Sequence, residues 1–200
     1  KQNPRGLPWP EVWKIFSACL DALIYARSKG IIHRDIKPSN IFIRKDGVVK
    51  LIDFDIARRE DESQNSTAGW KGTFDYMAPD FVTVPNFRGD EQSDIFSLGT
   101  CLHQSVTGKL PFPALGEGAH IGYLNRWRDP ASAQPNLEAG VLRVLANVKP
   151  VLAKSMHGMR DQRYTTFQEM LSDLERVHYR TLEHRGRDTY ELTDWMGRGG

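Results

Sequence analysis

The sequence predicts a mainly α-helical chain carrying one small β-hairpin. Three observations predict it: apolar residues recur at the helical period in several long stretches, two short β-branched runs flank an Asp-Gly pair, and the second half shows helical periodicity alone. The first helix follows a segment rich in Pro and Gly (Pro4, Gly6, Pro8, Pro10). Its apolar positions are Val12, Trp13, Phe16, Cys19, Leu20, Leu23 and Ile24, and Gly30 ends it. Ile31 and Ile32 lead into a polar stretch, His33 to Asn40, in which Pro38 forbids a continuing helix and predicts an ordered loop. Ile41 to Ile43 and Val48 to Ile52 then read as paired strands turning at Arg44-Lys45-Asp46-Gly47. From Asp53 to about Phe81 no period is sustained, and a loop of that length in a compact domain points to function.

The segment Ser93 to Val106 carries Ile95, Phe96, Leu98, Cys101, Leu102 and Val106 around much of its circumference, as expected of a central buried helix capped by Ser93 or Asp94. Further helices are expected over Ala119 to Trp127, Val141 to Met156 and Thr166 to Val177. Residues 181–200 are mostly polar and read as a packed extension or a linker. No internal repeat or low-complexity tract is present.

Composition bounds the function. The 200 residues hold 27 Lys plus Arg against 25 Asp plus Glu, which removes any strong electrostatic case for nucleic acid or a membrane surface as the main partner. No apolar run reaches the length of a membrane helix, and no signal-peptide pattern opens the chain. Cys19 and Cys101 both fall in apolar helical stretches, so buried free thiols in a reducing, cytoplasmic setting are expected rather than a disulfide. A first residue other than Met and a glycine-rich end suggest a segment of something longer.

The chemistry concentrates in His33-Arg34-Asp35-Ile36-Lys37-Pro38-Ser39-Asn40, followed thirteen residues after Asn40 by Asp53-Phe54-Asp55. A loop and a strand end joined by a hairpin can bring Asp35, Asn40 and Asp53 to one cavity edge with Lys37 beside them. Oxygen donors from Asn40 and Asp53 suit a hard cation such as Mg²⁺, which keeps waters and takes phosphate oxygens as its other ligands. Asp35 then remains to accept the proton of an incoming hydroxyl while Lys37 neutralises charge on the transferred group. The expected reaction class is phosphoryl transfer. The alternative is a solvated turn in which Lys37 and Asp35 form a surface ion pair.

These motifs resemble the carboxy-terminal, larger lobe of a serine/threonine protein kinase. His33 to Asn40 is similar to the catalytic loop H-R-D-L-x-x-x-N, and Asp53-Phe54-Asp55 stands where D-F-G is expected. Gly72-Thr73-Phe74-Asp75-Tyr76-Met77-Ala78-Pro79-Asp80 resembles the peptide-binding end of the activation segment. Ser93 to Gly99 resembles the start of the central helix, and Asp161-Gln162-Arg163 the turn before the last one. The resemblance covers about residues 10 to 177 and implies a lobe over 1–180 with 181–200 as extension or linker.

The resemblance implies Asp35 as catalytic base, Lys37 as the contact to the transferred phosphate, Asn40 and Asp53 as metal ligands, and Mg²⁺ and ATP as cofactors. Phe42 would support the adenine ring from below, or else belong to the core. His33, Phe54, Asp80, Asp94 and Arg163 take structural roles: Asp94 would bind backbone amides of the catalytic loop, and Arg163 would pair with Asp80. Because Asp80 replaces a glutamate, a longer or shifted pair is expected. Arg34 would receive a phosphate on the activation segment, with Ser63, Ser66 and Thr67 as acceptors and Arg58 and Arg59 nearby. Thr73 would sit beside the catalytic aspartate. Lys37 and Thr73 favour serine/threonine over tyrosine kinases, and the implied partner is a polypeptide bearing Ser or Thr.

Two departures matter. Asp55 replaces a glycine and so implies tolerated variation, altered metal binding or lost activity. No glycine-rich phosphate loop or strand lysine occurs, so the amino-terminal lobe is expected to be a missing partner and the segment alone to be inactive. A pseudokinase-like scaffold and a small-molecule phosphotransferase of the aminoglycoside or choline kinase type remain as alternatives.

Overall fold

The computed structural model describes residues 6–54, 74–112, 119–130, 133, 135–137 and 143–187. Within them the order is α1 (Trp9–Ser28), β1 (Ile41–Ile43), β2 (Val49–Leu51), α2 (Asp80–Thr83), α3 (Glu91–Thr107), α4 (Ala119–Arg126), α5 (Arg143–Ser155) and α6 (Phe167–Arg187). Single 3₁₀ turns cover Pro38–Asn40 and Arg160–Gln162.

α1 buries Val12, Phe16, Cys19, Leu20 and Leu23 along one face, against α3, α6 and β2. Pro10 sits in its first turn, where a missing N–H costs nothing. Its end is closed by Gly30 at φ 73° while Ile31 N donates to Ala26 O at 3.0 Å. A Cβ on Gly30 would meet nothing within 4 Å, so the left-handed backbone alone calls for glycine.

The hairpin is antiparallel with Ile41 opposite Leu51, Phe42 opposite Lys50 and Ile43 opposite Val49. Gly47, at φ 79°, donates to Arg44 O at 2.9 Å and closes the expected turn. The strands are one residue shorter at each end of β2 than the Val48 to Ile52 run suggested.

α3 is the axis of the fold, packed by α1, α5 and α6 and buried nearly all round. Its cap corrects the expectation of Ser93 or Asp94. Asp90 caps it, accepting from Ser93 N at 3.1 Å while Ser93 Oγ accepts from Asp90 N at 2.9 Å, a reciprocal capping box. Asp94 is spent elsewhere. α5 approaches α3 closely at Gly99, where a Cβ would lie 2.3 Å from Ser155 Oγ.

α6 runs to Arg187, ten residues beyond the expected Val177. Its last turns expose Tyr179 and Leu182, so their burial period is lost although the backbone stays helical; Trp13 of α1 stacks on His178 at 4.4 Å. α2 was not expected, because four residues carry no periodic signal. Val141 and Leu142 lie outside the described residues, and α5 continues through Pro150. Cys19 and Cys101 are free and buried. No helix among the described residues is long and apolar enough to cross a membrane.

Candidate active site

The loop between α1 and β1 is held from below by α3. The Asp94 carboxylate, 1% exposed, accepts from His33 N through Oδ2 and from Arg34 N through Oδ1, both at 2.8 Å. These bonds hold Arg34 at φ 66°, a left-handed conformation uncommon for a residue with a side chain. Burial pushes Asp94 up to about 7, opposed by the two amides and the Arg34 charge.

His33 joins the loop to the strand end. Its Nε2 lies 3.1 Å from Ile52 O and its Nδ1 accepts from Asp35 N at 3.3 Å, which assigns the proton to Nε2 in a neutral ring. Burial lowers its pKa, while the Ile52 carbonyl and the Asp35 and Asp53 charges pull the other way. Phe54 packs on the ring at 4.4 Å between centroids. Ile52 N donates to Asn40 O at 3.0 Å, so Asp53 is fixed directly beside the catalytic-loop residues. Asp53 itself adopts φ 58°.

At the front of the loop, Lys37 Nζ lies 2.7 Å from Asp35 Oδ2, with both side chains about one third exposed. The same carboxylate oxygen accepts from Asn40 Nδ2 at 3.1 Å, and that nitrogen also donates to Asp35 O at 2.8 Å. Two acceptors on one side orient the Asn40 amide, so Oδ1 is the atom with which it would serve a cation. An amide oxygen and a carboxylate are hard oxygen donors of the type that suits Mg²⁺. The ion pair that would have made a solvated turn is therefore present, but within a loop anchored on a buried carboxylate.

Phe42 is 54% exposed on β1 and lines a shallow hollow with Ile43, Arg44, Lys45 and Asp46. Asp55, Arg58, Arg59, Ser63, Ser66, Thr67 and Thr73 lie outside the described residues.

At the other end, Asp80 is fully buried and its Oδ2 meets Arg163 Nη2 at 2.6 Å. The shorter acid does not lengthen the pair. Arg163 also reaches Gly158 O and Gln92 O. The segment that ends in Asp80 is tied to the helices by Tyr76 Oη donating to Gln104 Oε1 at 2.6 Å and by Tyr123 Oη donating to Ala78 O. Sequence reasoning missed Arg160, which also pairs with Asp80 and bridges to Asp90. The signal was available as a second arginine three residues before Arg163.

The model of the protein kinase domain family matches residues 3–182. The chain is 39% identical over 175 residues to the serine/threonine-protein kinase PknB of Mycolicibacterium smegmatis, covering 82% of the chain and 25% of that protein. It is 36% identical over 170 residues to PknB of Mycobacterium tuberculosis, covering 82% and 25%, and 33% identical over 187 residues to a probable PknB of Corynebacterium glutamicum, covering 92% and 28%. The chain thus spans about a quarter of the length of the curated relatives it matches. On its motifs, its helical architecture and a match running through nearly its whole length, the chain belongs to the protein kinase domain family.

Proposed function

We propose that the chain is the catalytic lobe of a serine/threonine protein kinase, transferring the terminal phosphoryl group of ATP to Ser or Thr hydroxyls of a polypeptide. The observation that carries the reading is Asp35: its carboxylate is held by Lys37 and Asn40 on a loop whose backbone is pinned by buried Asp94. In the transfer, the hydroxyl oxygen forms the new P–O bond as the bond to ADP breaks, and Asp35 orients the hydroxyl and accepts its proton. Lys37, now paired with Asp35, neutralises charge on the moving phosphoryl group.

Asn40 Oδ1 and Asp53 would hold Mg²⁺, which supplies charge neutralisation on the phosphate oxygens when bound. Phe42, exposed at the hairpin, would support the adenine ring from below. The proposal includes phosphorylation of Ser63, Ser66 or Thr67 answered by Arg34, Thr73 beside Asp35, and a cytoplasmic setting. It also holds that these 200 residues alone transfer phosphate negligibly, because no glycine-rich phosphate loop occurs among them and positioning supplies most of the rate.

The test is transfer from Mg-ATP to a Ser/Thr protein by the full-length polypeptide containing this chain, beside its Asp35→Asn variant. Phosphoprotein from wild type and a loss of about a thousandfold or more in the variant are expected. ATP binding without transfer would establish the scaffold reading instead, and transfer only to a metabolite the small-molecule one.

A further inference from the structure

The buried acid at the end of the substrate-side segment is shared between two guanidinium groups. Asp80 Oδ2 takes Arg163 and Oδ1 takes Arg160 Nη1. Arg160 then reaches on through Nη2 to Asp90 Oδ2 at 2.5 Å, while Asp90 Oδ1 accepts from Ser93 N as the cap of α3. The guanidinium lies 5.3 Å from the Phe87 ring, and Phe87 meets Phe81 edge-on at 5.0 Å. The backbone of Arg160 is fixed as well, its carbonyl accepting from Gln92 Nε2 at 3.1 Å.

Two cations and two anions make this quartet neutral, and its parts divide unequally. Arg163 by itself keeps Asp80 paired in the buried interior, which is what folding needs. Arg160 is one third exposed and adds the connection from Asp80 to the first turn of α3. One turn further along α3, Asp94 holds the amides of His33 and Arg34. A continuous polar path therefore runs from the Phe74–Asp80 segment through Arg160 and Asp90 to the loop bearing Asp35.

We propose that Arg160 is a positioning residue that sets the Phe74–Val84 segment in register with the catalytic loop through Asp80 and Asp90. The inference rests on the kinase reading for its consequence in catalysis, since that segment is where a polypeptide substrate would lie. Arg160 touches no reacting atom, so its loss raises KM for the protein substrate and leaves kcat and the KM for ATP nearly unchanged. The bidentate fork matters, because a lysine at this position can serve only one of the two carboxylates at full strength.

The experiment compares wild type, Arg160→Gln, Arg160→Lys and Asp90→Asn in the full-length polypeptide. Asp90→Asn retains a side-chain oxygen for the α3 cap and removes the charge that Arg160 meets. Hydrogen exchange is read at the amides of Met77, Val82 and Val84, which bond within the segment, and at His33 and Arg34, and kinetics are read with a Ser/Thr peptide. Expected are a loss of about tenfold in protection confined to the segment and a rise of about tenfold in peptide KM for Arg160→Gln and Asp90→Asn, with a smaller change for Arg160→Lys. Unchanged segment protection overturns the inference, as does a loss spread over the whole chain or a fall in kcat with KM constant. If wild type transfers no phosphate, the kinase reading fails while the exchange data still decide whether Arg160 sets the segment.

Discussion

Asp94→Asn tests the link between the central helix and the catalytic loop. Each carboxylate oxygen of Asp94 accepts one amide, from His33 and from Arg34, both at 2.8 Å. Asparagine keeps the shape but offers one oxygen, so one amide is left facing a nitrogen donor. An unpaired buried amide costs about 1–3 kcal/mol, and for a chain of this size about 2 kcal/mol lowers Tm by roughly 4–8 °C. The loss should be local, because Arg34 at φ 66° relaxes once its tether is gone.

The pH dependence follows from the folded value of about 7, raised by burial. An acid whose folded pKa lies above its unfolded value of about 3.9 contributes stability that is complete below that unfolded value and is lost as pH rises through the folded one. The margin of wild type over Asp94→Asn is therefore larger at about pH 5 than at about pH 8, the pH to which the Tm estimate refers. Thermal melts at both pH values, with hydrogen exchange at His33 and Arg34, make the measurement. Coincident melts with full protection at both amides would refute the tethering argument.

Three further outcomes are expected. Gly99→Ala gains about 1 kcal/mol of helix propensity but places a Cβ 2.3 Å from Ser155 Oγ and 2.8 Å from Ser155 Cβ. Overpacking of about 1–3 kcal/mol outweighs that gain, so the variant should melt lower and recover in Gly99→Ala/Ser155→Gly; a variant more stable than wild type disproves the close contact. Burial pushes the Cys19 thiol up to about 12 and Cys101 well above its ordinary value. Thiol titration at about pH 8 should therefore find both only after denaturation, and a rapidly reacting native thiol contradicts their burial. The lowered pKa of His33 means that its unfolded form takes up a proton first as pH falls through about 6.5, so wild type loses stability there. Chemical denaturation of His33→Gln across that range should show the gap to wild type narrowing on acidification, and a constant gap removes the argument.

The catalytic loop was legible because its chemistry is local: Asp35, Lys37 and Asn40 lie within six residues, and their contacts close within that stretch. The hairpin was legible for the same reason, since Asp46-Gly47 sets its turn. α3 was recognised from its apolar circumference, yet its cap was misplaced because Asp94, read as a capping candidate, turns its carboxylate sixty residues back to the loop. α6 was cut short at Val177 because Tyr179 and Leu182 face solvent, and an exposed helical turn has no burial period to detect.

The sequence by itself pointed to phosphoryl transfer, to candidate residues for it and to the helical character of the chain, because motif spacing and side-chain period are properties of neighbours along the chain. Only the tertiary structure showed how the segment ending in Asp80 is tied to the first turn of α3: Arg160 joins Asp80 to Asp90 through contacts between positions dozens of residues apart. Such contacts form where packing brings a charge out of water and leaves it to find a partner in space, and linear order does not name that partner.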